Sequence, residues 1–127
     1  MKRLTNKEEE VMRILWQLEK AFVKEILPKI KDQKLHYNTV STIVRHLEDK
    51  GFVSHKAYGN THQYYPVISK EEYRKHIMSL TSKRFFDNSY KSMVSFFAKE
   101  EKISADELRE ILDIIEKEKK KIVISMN

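Results

Sequence analysis

The chain has 127 residues, no cysteine, and 25 Lys and Arg against 19 Asp and Glu, for a formal net charge of +6. That length allows one modest core plus an association element, and the missing cysteine excludes disulfide frameworks, thiolate metal sites and cysteine nucleophiles. The basic balance favours a polyanionic partner, but it divides as +3, +1 and +2 over residues 1–35, 36–68 and 69–127, so no segment is a basic arm.

Thr5 and Glu8 form an S/T-x-x-E capping box ahead of Val11, Ile14, Leu15 and Leu18, which predicts a first helix over about residues 6–19. Phe22, Val23, Ile26, Leu27 and Ile30 predict a second, shorter helix whose last turn Pro28 distorts. Val40, Ile43, Val44 and Leu47 recur at i, i+3, i+4, i+7 and bury one face of a third helix. The other face carries Asn38, Ser41, Thr42 and Arg45, short hydrogen-bonding side chains plus one fork of donors suited to phosphate and base edges. Gly51 fits the position just past that helix, where a positive φ carries no Cβ clash. Residues 52–58 and 61–67 are rich in β-branched and aromatic side chains around Gly59-Asn60, which predicts a hairpin.

Helix, short helix, turn, helix, hairpin is the order of a winged helix-turn-helix over residues 1–68, in which the third helix enters the major groove. The candidate DNA contacts are Tyr37, Asn38, Thr39, Ser41, Thr42, Arg45 and His46 on that helix, with Lys56, Asn60, Thr61 and His62 on the wing. His36, His46, His55 and His62 fall in these two elements, so contacts there are expected to strengthen at mildly acidic pH.

Two more capping boxes follow. Ser69 with Glu72 opens a helix carrying Tyr73, Ile77, Leu80 and Phe85; Ser104 with Glu107 opens one carrying Leu108, Ile111, Leu112 and Ile115. Between them Phe85, Phe86, Tyr90, Met93, Val94, Phe96 and Phe97 present more apolar bulk than two helices can cover. A homodimer buries such a patch twice and gives two recognition helices two half-sites. The expected dimerisation residues are Tyr73, Ile77, Leu80, Phe85, Met93, Phe96, Phe97, Leu108, Ile111, Leu112 and Ile115. Lys119-Lys120-Lys121 and residues 122–126 read as a frayed helix end and a disordered tail. The expected fold is mostly α with a small β-hairpin: a winged helix-turn-helix over 1–68 and a helical dimerisation region over 69–127.

Over nearly its whole length the chain resembles the penicillinase-repressor, or BlaI/MecI, family of bacterial transcriptional regulators. The matching residues are Leu4-Thr5, Glu10-Val11-Met12 and Leu15-Trp16, then Val23-Lys24-Glu25-Ile26, Asn38-Thr39-Val40, Leu47 and Lys50-Gly51-Phe52, then Tyr64-Tyr65-Pro66 and residues 108–112. The resemblance implies a dimeric repressor of a palindromic operator, double-stranded DNA, with a regulatory protease or sensor as a further partner. Where such proteins commonly carry Arg before the leucine aligned with Leu47, this chain has His46, with Arg45 beside it. Where they are cut at an Asn-Phe bond, the aligned pair is Phe96-Phe97. Copper-responsive relatives bind metal through C-terminal cysteines, which this chain lacks.

Plainer readings compete at several positions. Asn38, Thr39, Ser41, Thr42 and Arg45 alone would pass for a solvated helix face; the wing and the resemblance favour DNA. Trp16 and Tyr64-Tyr65 are better read as packing than as stacking platforms for single strands. The histidines lack H-x-x-x-H or H-E-x-x-H spacing, so no metal or other cofactor is expected. Gly51 and Gly59 stand alone, so neither a phosphate loop nor a nucleophile elbow can be assembled, and no enzyme is expected. No apolar run reaches bilayer length and no signal-peptide core follows Met1, so a cytoplasmic protein without a membrane partner is expected. Two alternatives to an operator-binding repressor remain: a regulator controlled by a small molecule, and a winged-helix protein-interaction module.

Overall fold

The structure, a computed structural model, describes residues 1–126. Helix α1 (Asn6–Leu18) starts at the predicted box: Glu8 N–H donates to Thr5 Oγ1 at 3.1 Å, and Thr5 N–H donates to Glu8 Oε1 at 2.8 Å. The same reciprocal bonds open α4 (Lys70–Phe85) at Ser69 and Glu72, and α6 (Ala105–Met126) at Ser104 and Glu107. Helix α5 (Tyr90–Lys99) is capped by Ser89 alone, which accepts from Ser92 N–H at 3.0 Å. Its third residue is Ser92, not Glu or Gln, so the sequence signature of a full box was absent.

The predicted second helix divides into three pieces: strand β1 (Ala21–Phe22), helix α2 (Val23–Ile26) and a 3-10 turn (Leu27–Lys29). Pro28 has no N–H to continue an α-helical ladder, and the tighter turn accommodates it. Phe22 is drawn into a sheet because a neighbouring strand offers it backbone partners. Helix α3 (Tyr37–Asp49) buries Val40, Ile43, Val44 and Leu47, as the periodicity predicts. It stops in a Schellman motif: Gly51, at φ +83°, donates its N–H to Glu48 O, and Phe52 donates to Leu47 O, both at 2.9 Å.

Strands β2 (Val53–Tyr58) and β3 (Thr61–Pro66) pair antiparallel from Val53↔Pro66 to Tyr58↔Thr61. Within their two-residue loop the positive φ falls on Gly59, +61°, and not on Asn60, the pattern of a type II′ turn. Strand β1 adds to the far side of β3, Ala21↔Tyr64 and Phe22↔Gln63, giving the sheet order β1-β3-β2. Along β3, alternation sends Tyr64 inward and leaves Tyr65 exposed.

The chain divides into two compact units, Met1–Met78 and Ser79–Asn127. The first holds the core, with Met12, Leu15, Ile26, Ile30, Val40, Val44, Leu47 and Phe52 buried. Trp16 packs at its edge and donates its indole N–H to Ile68 O at 2.9 Å. Tyr73 corrects an expectation: placed among the dimerisation residues from sequence, it belongs to this core at 7% exposure. Its ring meets Phe52 edge-on at 5.6 Å and Trp16 at 5.9 Å, and its hydroxyl donates to Glu9. Ile77, one turn on, packs against the same core. The first turns of α4 therefore complete the first unit.

In the second unit, among the described residues, no apolar side chain is buried. Leu80, Phe85, Phe96, Phe97, Ile111, Leu112 and Ile115 are exposed, and Met93 and Leu108 are partly so. The predicted frayed end is a further correction. Helix α6 continues to Met126, because neither glycine nor proline follows Ser104 to break it.

Candidate nucleic-acid interface

The polar face of α3 and the wing tip enclose a hollow of about 340 Å³. It is lined by Tyr37, Asn38, Ser41 and Arg45 of α3, by Asn60, Thr61 and His62 of the wing, and by Tyr64. Seven of the eleven predicted DNA contacts thus converge on one concavity. Thr39, Thr42, His46 and Lys56 do not line it, although Thr39, His46 and Lys56 are exposed. The hollow takes Arg45 and not its neighbour His46, because residues 38, 41 and 45 share a face that residue 46 leaves by a further 100°.

Thr42 acts through its neighbours. Its hydroxyl donates to Asn38 O at 3.0 Å and accepts from an Arg45 guanidinium N–H at 3.1 Å. That bond holds the guanidinium against its own helix and leaves most of its donor fork for a ligand. On the wing, Thr61 Oγ1 donates to Tyr58 O at 2.9 Å, fixing the tip. His62 stacks on His55 with ring centroids 4.0 Å apart and planes 7° from parallel, and His55 Nδ1 lies 2.6 Å from Glu48 Oε2. Helix α3 and the wing are thereby tied together through Glu48, His55 and His62. Behind them, burial pushes the Tyr64 hydroxyl above its ordinary pKa; the Glu48 carboxylate adds to the rise and Arg45 opposes it.

Besides Tyr64, which the sequence assigns to packing, three lining residues were not among the predicted contacts: Phe22, Val23 and Lys24. They reach the hollow because β1 turns the chain along the edge of β3, and a two-residue strand leaves no periodic signal. Among the described residues no group of His, Asp and Glu is arranged to hold a metal ion, and no helix is long and apolar enough to cross a membrane.

A three-helix module, with a hydrogen-bonding α3 face beside a hairpin wing, defines a winged helix-turn-helix regulator. The chain belongs to the penicillinase-repressor (BlaI/MecI) family, whose sequence model, described as "Penicillinase repressor", matches residues 4–117. The methicillin resistance regulatory protein MecI of Staphylococcus aureus strain N315 is 32% identical over 119 residues, 90% of this chain and 94% of its own. The penicillinase repressor of Bacillus licheniformis is 25% identical over 118 residues, 92% of each chain. Among solved structures, the complex structure of hsRosR-S4 aligns with 95% of this chain and 94% of its own at a TM-score of 0.54 and 13% identity, a likeness of fold alone. The chain is a DNA-binding transcriptional repressor and not an enzyme.

Proposed function

We propose that the chain acts in the cytoplasm as a homodimer on a palindromic operator, with α3 in the major groove and the wing against the adjoining backbone. The observation that carries this is the convergence of Asn38, Ser41 and Arg45 with Asn60, Thr61 and His62 on one hollow. Arg45 supplies base-edge or phosphate donors, the amide and hydroxyl groups tune the choice of site, and lysines supply salt-dependent affinity. Dimerisation is supported by the second unit, whose exposed apolar faces on α4, α5 and α6 include Phe85 at 69% and Leu112 at 54% exposure. A second copy covers identical faces at once. A regulatory protease would act on this region by breaking the dimer. The Phe96-Phe97 bond lies inside α5, so cutting there requires local unwinding first.

Selection of bound sites from random duplex DNA tests the proposal. The expected product is an inverted repeat whose half-sites are centred about one helical turn, or a multiple of it, apart. Recovery of no common sequence, or of a single unrepeated half-site, refutes it.

A further inference from the structure

Outside the polar face of α3, the structure aligns four side chains from three elements in one row. Lys24 Nζ of α2 lies 5.9 Å from the Phe22 ring centroid on β1. The Phe22 ring meets the Tyr58 ring of β2 edge-on, 5.7 Å away with planes at 65°. Lys56 Nζ lies 5.3 Å from the Tyr58 ring centroid. Strand β3 runs between, with Gln63 opposite both Phe22 and Lys56 in register. At the near end Phe22 N–H donates to Glu25 Oε1 at 2.8 Å, which fixes the corner where β1 becomes α2.

The two ammonium groups are exposed, and among the described residues neither has a carboxylate at ion-pair distance. Each is instead held over the negative face of a ring, an arrangement that places a cation without neutralising it. Phe22 and Lys24 also line the hollow that Arg45 enters, so one end of the row lies beside the base-reading face. A hairpin wing is a lever on a short turn; the edge contact between Phe22 and Tyr58 ties its tip back to the helical module.

We infer that Lys24 contacts an operator phosphate, and that Phe22 and Tyr58 are positioning residues bracing the wing so that Lys56 meets the backbone at a fixed distance from Lys24. The ligand chemistry is the phosphodiester backbone of duplex DNA, and the inference rests on the operator-binding reading above. In solution the row has two consequences. Removing either lysine lowers the dependence of affinity on salt, since each phosphate contact releases counterions. Removing the brace does the same without removing any charge.

The test is fluorescence anisotropy of full-length protein on its selected operator between about 50 and 200 mM salt. Lys24→Gln is expected to flatten the log-log salt slope by about 1 per half-site, near 2 for a dimer, with the base preference unchanged. Tyr58→Ala is expected to flatten the slope as Lys56→Gln does, whereas Tyr58→Phe, which keeps the ring pair, retains the parent slope. Tyr58 is half exposed, and thermal melts of each variant show whether the fold is retained. A parent-like slope for Lys24→Gln overturns the phosphate contact. A parent-like slope for Tyr58→Ala, or equal losses for Tyr58→Ala and Tyr58→Phe, overturns the brace. Failure of the underlying reading is separate: the parent protein would then bind selected and scrambled duplexes alike.

Discussion

Lys50 stands at the C-terminal end of α3, and its ammonium lies 2.6 Å from Glu8 Oε1, on the first turn of α1. The Glu8 side chain is 5% exposed and that of Lys50 25%. Burial pushes the Glu8 carboxyl up, but the Lys50 ammonium and the Thr5 backbone and hydroxyl donors together hold it below its ordinary value. Lys50→Met keeps the apolar stem and removes the charge, leaving a buried carboxylate with only its Thr5 partners. Breaking a fully buried pair costs about 3–5 kcal/mol and an exposed pair about 0–1. With one partner buried and the other a quarter exposed, the expected loss at pH 7 is about 2–3 kcal/mol, read by urea denaturation. Because the folded pKa is depressed, the pair's contribution is complete above the ordinary carboxylate value of 4.5 and is lost as pH falls through the folded value. The gap between parent and Lys50→Met must therefore narrow below that pH. A loss under about 0.5 kcal/mol at pH 7, or a gap constant down to pH 3, refutes the reasoning.

Tyr73 carries an alkaline counterpart. Burial, the hydrogen bond to Glu9 and that carboxylate's charge push its hydroxyl from 10.0 to about 12. Its contribution is complete below pH 10 and falls as pH rises towards 12, by about 3 kcal/mol at the order-of-magnitude level; Tyr73→Phe should remove that part of the alkaline decline in denaturation measured from pH 8 to 12. Arg45→Ala should weaken operator binding by about 1–3 kcal/mol per half-site in gel-shift titration and relax preference at one base pair, whereas His46→Ala should change preference little. A chain ending at Met78 should sediment as a folded monomer, and one ending at Ile68, deprived of Tyr73, should melt at a lower temperature than the chain ending at Met78.

The elements legible in the sequence are those with local chemical signatures. Three boxes fixed three helix starts, the apolar stripe from Val40 to Leu47 fixed the buried face of α3, and Gly51 and Gly59 marked its stop and the hairpin turn. What was hidden depends on distant partners. Strand β1 exists because β3 supplies backbone groups more than forty residues later, and two residues carry no period of their own. Phe22 and Lys24 were invisible as interface residues for the same reason. Tyr73 sat on a helix that looked uniformly suited to association; only the tertiary contacts with Phe52 and Trp16 assign it inward. At the interface, spacing along α3 supplied Asn38, Ser41 and Arg45 together as i, i+3 and i+7 of one face; His46, 100° further round, was excluded from the hollow only once the position of the wing beside that face was known.

The uneven distribution of buried surface bears on regulation. The first unit encloses its own core and carries the hollow between α3 and the wing, whereas the second, among the described residues, buries no apolar side chain of its own. Under the proposed dimer, the exposed apolar side chains of α5, α6 and the last turns of α4 are covered by a second copy, so the stability of the second unit depends on the assembly. A monomer retains an intact recognition helix and wing but half the phosphate contacts. Since each contact adds to the salt slope, dissociation halves that slope while leaving the base preference of each half-site intact. An inducing event acting on the second unit can thus release DNA without altering Arg45, Lys24 or the wing. Release of this kind appears as a protein-concentration dependence of operator affinity, and a DNA affinity independent of protein dilution would place control within the first unit.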